Sequence, residues 1–155
     1  MPELRNITLG ELFAEVCSRF GERVAVEYLG EKTSYAQLDA YTDVLARGFL
    51  ALGMKKGSRA AIWGNDRPNT LFCLLAMEKL GVVAVMLGTS LQAGELEALL
   101  ELSEAEYLFF DDGFRDVSFP AVCRSMPKGR MKKHIYIGPG SEPDFDCLSS
   151  IEALA

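Results

Sequence analysis

The chain has 155 residues, 49% apolar and 25% charged, with a formal net charge of −6. That length supports one domain with a sizeable core, and the acidic balance argues against nucleic acid or an anionic membrane surface as partner. No apolar run reaches the roughly 18 residues of a membrane span. The opening MPELRNITLG lacks the basic-then-apolar pattern of a secretory leader, so a cytoplasmic protein is expected.

Residues 8–20 read as an amphipathic helix. Thr8 and Glu11 form a capping box, in which each side chain satisfies an amide that the first turn leaves unpaired. Leu9, Leu12, Phe13, Val16, Cys17 and Phe20 recur at helical spacing and define the face expected to turn inward. Gly21 stops the helix. Residues 24–34 read as a hairpin with Gly30 in its turn. Ser34 and Gln37 repeat the capping box for a second helix, whose inward stripe is Leu38, Tyr41, Leu45, Phe49 and Leu52. Gly48 falls on that stripe, where a missing side chain lets a neighbour approach closely.

Residues 59–87 form the centre of the chain. A short apolar strand over 59–63 leads to a helix that Asn69 can cap and that carries Leu71, Phe72, Leu74, Leu75, Met77 and Leu80. Gly81 ends it, and the unbroken apolar run from Val82 to Leu87 is the pattern of a strand buried on both faces. A third long helix spans 93–103, with Leu96, Leu99 and Leu100 inward and Glu95, Glu97, Glu101 and Glu104 toward solvent. Residues 107–110 make a strand ending at Asp111 and Asp112. Pro120, Pro127 and Gly129 interrupt 113–131, which admits at most one short helix near 121–125. Residues 134–137 form a fourth apolar strand. Leu148, Ile151 and Leu154 share one face of a terminal helix that stops with the chain. The expected fold is α/β: a mainly parallel sheet with helices on both faces, preceded by a helix and a small β-hairpin.

Few motifs carry chemistry. The run over 53–58 (GMKKGS) looks like a phosphate loop, but it has a helix before it, a strand after it, and the wrong spacing. A turn is the better reading. No GxGxxG fingerprint occurs. The four cysteines, Cys17, Cys73, Cys123 and Cys147, form no CxxC pair, and His134 is the single histidine; reduced core cysteines are expected and a zinc site is not. The basic run of Arg124, Lys128, Arg130, Lys132 and Lys133 lacks interleaved aromatic residues. Ligands of open parallel sheets bind beyond the carboxyl ends of the strands. That rule singles out Asp66, Arg67, Thr89 and Asp111 as the best-placed polar residues, with bracing of the next helix as the plainer role for Asp66 and Arg67. Adjacent Asp111 and Asp112 are expected in a solvated turn.

Three blocks, taken in order, resemble the start of the AMP-forming acyl-CoA synthetases and related adenylate-forming ligases. Residues 33–38 (TSYAQL) are similar to that family's Thr/Ser-Tyr-x-Glu/Gln-Leu opening. Residues 45–59 (LARGFLALGMKKGSR) resemble its LA-x-x-L-x-x-LG segment leading into KGD-R. Residues 63–96 resemble the stretch from W-x-x-N to EL. Asp66 stands where the family usually has Asn, Asn69 and Thr70 replace Glu-Trp, and Met86, Gly88 and Thr89 replace the residues of N-x-N-P. The resemblance implies the N-terminal subdomain of the acyl-CoA synthetase-like fold, and a parent enzyme that uses ATP, Mg and CoA to turn a carboxylate into an acyl-adenylate and then a thioester. The family's Ser/Thr/Gly-rich ATP loop and its C-terminal catalytic lysine have no counterpart in residues 1–155. The chain is therefore expected to be an N-terminal fragment of a several-fold longer ligase, to bind none of these cofactors alone, and to be inactive alone. Its partner would be the rest of the ligase, and a carboxylic acid the parent's substrate. Self-association through the exposed apolar surface is a further expectation. The alternative is a stand-alone, non-catalytic α/β binding or assembly module.

Overall fold

The computed structural model describes residues 6–127 and 129–155; Lys128 of the basic run and the first five residues of the opening segment lie outside them. Helix α1 (Leu9–Phe20) starts at Thr8, with the expected capping box to Glu11. Strands β1 (Val24–Tyr28) and β2 (Glu31–Ser34) pair antiparallel as the hairpin. Its turn holds Leu29 at φ 50° and Gly30 at φ 85°, so both central residues take the left-handed twist that tight hairpins favour. Helix α2 (Tyr35–Ala51) opens on the Ser34–Gln37 capping box.

The main sheet follows. Strands β3 (Arg59–Trp63), β4 (Val83–Met86), β5 (Tyr107–Phe110), β8 (Lys133–Tyr136) and β9 (Asp146–Cys147) stand in the order β4-β3-β5-β8-β9, every pair parallel. Connecting helices are α3 (Pro68–Leu80), α4 (Ala93–Leu102), α5 (Phe119–Ser125) and α6 (Leu148–Glu152). A small hairpin of β6 (Gly113–Phe114) and β7 (Val117–Ser118) precedes α5. Alternation along the strands sorts the core into two layers. Ala60, Ile62, Tyr107 and Phe109 meet α2, α3 and α6; Ala61, Trp63, Leu108 and Phe110 meet α4 and α5. Phe49 packs edge-on against Phe109 in the first layer, and Trp63 stacks on Phe119 in the second, with centroids 3.6 Å apart. Among the described residues no helix is long and apolar enough to cross a membrane.

Gly48 behaves as its place on the stripe requires. A Cβ there would lie 2.5 Å from the carbonyl oxygen of Ile151, so α6 seats directly on the α2 backbone. Lys79 further ties α3 to α2 through Asp39 and Asp43, at 2.6 and 2.5 Å.

Several expectations are corrected. The 82–87 run is not buried on both faces: β4 is the edge strand, with Val83 49% and Met86 54% exposed. Continuous hydrophobicity reports apolar neighbours, not which side of a sheet lacks one. Only part of the α1 stripe is covered, because α1 lies across α2 and α3 rather than on the sheet; Leu9 and Leu12 stay exposed while Cys17 is buried. Helix α3 begins at Pro68, a good first position because proline has no amide to leave unpaired. Asn69 therefore does not cap it, and its side chain reaches across to the Ile137 carbonyl instead. Strand β9 and the β6–β7 hairpin are too short to show a period in sequence. The last helix ends at Glu152, leaving Leu154 exposed.

Candidate functional site

Because β3, β5 and β8 are parallel and in register, their carboxyl ends bring the loops after Trp63, Phe110 and Tyr136 together. Asp111 sits there with 1% of its surface exposed. This corrects the solvated-turn expectation, since the amide of Asp111 bonds the Trp63 carbonyl and carries the residue inward with the strand. Its carboxylate is fully engaged. Oδ1 accepts from the Arg67 guanidinium at 2.7 Å and from the Asp112 amide at 2.8 Å; Oδ2 accepts from the Asn65 side chain at 3.1 Å and the Asn65 amide at 3.3 Å. Arg67 also bonds Asp112 at 3.1 Å, so one guanidinium holds both neighbouring carboxylates although their side chains diverge.

The loop after β3 is braced on its other side. Thr70 donates to the Asn65 carbonyl at 2.7 Å, and Asn69 donates to the Ile137 carbonyl at 2.8 Å. Gly138 makes room, since a Cβ there would collide with the Tyr136 hydroxyl and stand 2.7 Å from Asp111 Oδ1. Burial works against the charge on Arg67, but the hydrogen bond it donates to Asp112 and the charges of both aspartates outweigh it and raise its pKa. Burial, followed by the nearby Asp112 and Asp111 charges, raises the Tyr136 phenol as well. Chemically the cluster is a bracket closed on itself: both Asp111 oxygens, the Asn65 side-chain nitrogen and both terminal nitrogens of Arg67 have partners inside the protein.

Of the residues singled out from sequence, Asp111 and Arg67 come into direct contact. Asp66 is exposed and lines a depression of about 360 Å³ beside Arg67, Tyr28 and Leu71. Thr89, in the loop after β4, shares none of the bracket's hydrogen bonds; the nearby link is the Trp63 indole donating to the Gly88 carbonyl at 3.1 Å. Sequence reasoning missed Asn65 and Asp112 as members. The available signal was their position at the ends of two strands that turn out to be neighbours. The run over 53–58 lies at the opposite end of β3, as a turn closed by the Ser58 amide on the Lys55 carbonyl. Cys17, Cys73 and Cys123 are buried and unpaired, and Cys147 is half-buried. Among the described residues no three His, Cys, Asp or Glu side chains converge as a metal site.

The pattern described as AMP-binding enzyme matches residues 13–153. The chain belongs to the AMP-binding enzyme family. Within that family it is 34% identical over 128 residues to the putative acyl-CoA synthetase YngI of Bacillus subtilis, which covers 81% of this chain and 23% of the relative. It is 29% identical over 159 residues to the mitochondrial medium-chain acyl-CoA ligase ACSF2 of Mus musculus, covering 97% of this chain and 25% of the relative. The chain thus spans about a quarter of the length of these curated relatives. A putative long-chain-fatty-acid CoA ligase from Rhodopseudomonas palustris shares the fold at a TM-score of 0.80 and 24% identity, over 96% of this chain and 37% of that one. The NpsA N-terminal subdomain of Klebsiella oxytoca, in complex with 3-hydroxybenzoyl-AMSN, does so at 0.68 and 24%, over 84% of this chain and 30% of that one. The architecture is that of the N-terminal part of an adenylate-forming enzyme.

Proposed function

We propose that residues 1–155 form a single α/β domain, the N-terminal part of an AMP-forming acid–thiol ligase that activates a carboxylate as an acyl-adenylate and transfers it to CoA. Coverage carries this reading: the acyl-CoA ligase ACSF2 matches 97% of this chain with only 25% of its own length. ATP, Mg and CoA are the reagents such a ligase uses. The bracket does not fit any of them by itself. Arg67 already faces two carboxylates, and both oxygens of Asp111 already accept two hydrogen bonds each. A phosphoryl site needs convergent donors left free for the charge that develops. The role assigned to this domain is therefore scaffolding, holding the strand ends in register, and the 155 residues alone do not adenylate.

The test is exchange of labelled pyrophosphate into ATP with a panel of straight-chain carboxylates. No exchange above background is expected from the purified 155 residues. Robust exchange by this chain alone refutes the reading.

A further inference from the structure

The two edges of the main sheet are finished differently. At one edge β9 has two residues, and its Asp146 is held by Lys133 at 2.7 Å; short length and charge are how edges are blunted against further pairing. At the other edge β4 has four residues, VAVM, with no charge, proline or bulge among them. Val83 and Leu87 donate their amides to Ser58 and Ile62 on the β3 side. Alternation then turns the amides of Ala84 and Met86 outward, to the open side. Beside this edge lies the apolar part of the 360 Å³ depression, formed by Val26 and Tyr28 of the hairpin, Leu71 and Leu74 of α3, and Met86. Leu71 and Tyr28 are each 37% exposed.

We propose that an extended, apolar segment of the larger adenylate-forming fold pairs with the open edge of β4 and packs into this depression. The proposal rests on the functional reading above, that this domain is one part of such a fold. Two observations select this occupant. The R. palustris ligase superposes on 96% of this chain with 37% of its own, so that fold contains nearly twice as much further polypeptide. A second copy of this chain fits poorly: pairing two four-residue strands falls far short of the roughly 800 Å² per partner of a stable interface. Strand addition uses what is present, namely outward amides for affinity and an apolar shelf for alternate side chains.

The experiment compares the isolated chain with a chimera in which it replaces the matching part of the B. subtilis relative YngI. Amide hydrogen exchange is read over residues 83–87, along with thermal unfolding of Ala84→Pro and Met86→Lys in both settings. In the isolated chain Ala84→Pro removes an amide on the open side of an edge strand and Met86→Lys changes a side chain 54% exposed, so each shifts the midpoint by no more than about 2 °C. In the chimera, Ala84 and Met86 exchange at least about tenfold more slowly, and each substitution lowers the midpoint by about 5 °C or more. Equal exchange in both settings overturns the proposal. So does a chimera that stays unfolded while YngI folds, or a stable dimer of the isolated chain that Met86→Lys dissolves. A chimera that protects these amides, together with an isolated chain that catalyses exchange of pyrophosphate, upholds the surface while refuting the functional reading.

Discussion

Gly48→Ala is the sharpest test of how this domain is packed. Helix propensity alone favours alanine over glycine inside α2 by about 0.8–1 kcal/mol. Against that, the new Cβ would stand 2.5 Å from the Ile151 carbonyl oxygen and 2.6 Å from Ile151 Cγ2. Non-bonded heavy atoms settle near ~3.5 Å, so α6 has to retreat by about 1 Å. The obstacle is backbone and cannot rotate away. Overpacking of this kind costs about 1–3 kcal/mol. Retreat of α6 also stretches the hydrogen bond from the Tyr41 hydroxyl to Glu152, now 2.6 Å, which is worth about 1 kcal/mol more. The net is a loss of about 1–3 kcal/mol, or a midpoint lower by about 3–10 °C for a chain of this size. Urea unfolding followed by circular dichroism gives the value, with an unchanged slope showing that stability alone moved. Gly94→Ala in α4 is the control: nothing lies within 4 Å of its Cβ, so it gains up to about 1 kcal/mol from propensity. A Gly48→Ala protein stabilised as much as Gly94→Ala would refute the seating of α6 on α2.

Three further outcomes are expected. Asp111→Ala strips Arg67 and Asn65 of a buried acceptor and costs about 2–4 kcal/mol by urea unfolding, whereas Asp112→Ala, at a carboxylate 46% exposed, costs under about 1 kcal/mol; equal losses would contradict the bracket. Burial of His134, whose Nε2 has no partner, lowers its pKa below 6.5, so the unfolded chain binds the proton more readily. Its contribution to stability is complete above pH 6.5 and is lost as pH falls from there through the folded value; His134→Leu flattens this part of the stability–pH curve, and identical curves would exclude it. Hydrogen bonds from the Ser149 side chain and Ser150 backbone lower the Cys147 thiol, while burial pushes Cys123 up to about 12 and raises Cys73 and Cys17. Timed alkylation with iodoacetamide therefore labels Cys147 first, and earlier labelling of Cys73 would show that the core opens.

Local chemistry was legible in the chain before any coordinates. Thr8 with Glu11 and Ser34 with Gln37 start helices where they should, because a capping box acts over three residues. Tyr107–Phe110 reads as an apolar strand and is one, and Gly48 marks a close approach before the approaching element is known. The three blocks of resemblance pointed to the family that the match over 13–153 establishes.

Tertiary structure alone decided the rest. The run at 82–87 and the run at 107–110 are similarly apolar, yet strand order puts one at the open edge and the other between β3 and β8. Asp111 and Asp112 look alike in sequence. Parallel register buries the first among Asn65 and Arg67, 46 and 44 residues away, and leaves the second half in water. The physical reason is common to both cases. Capping and periodicity are interactions of neighbours along the chain, whereas burial and ion pairing depend on which strands lie side by side, and that is a property of the assembled sheet.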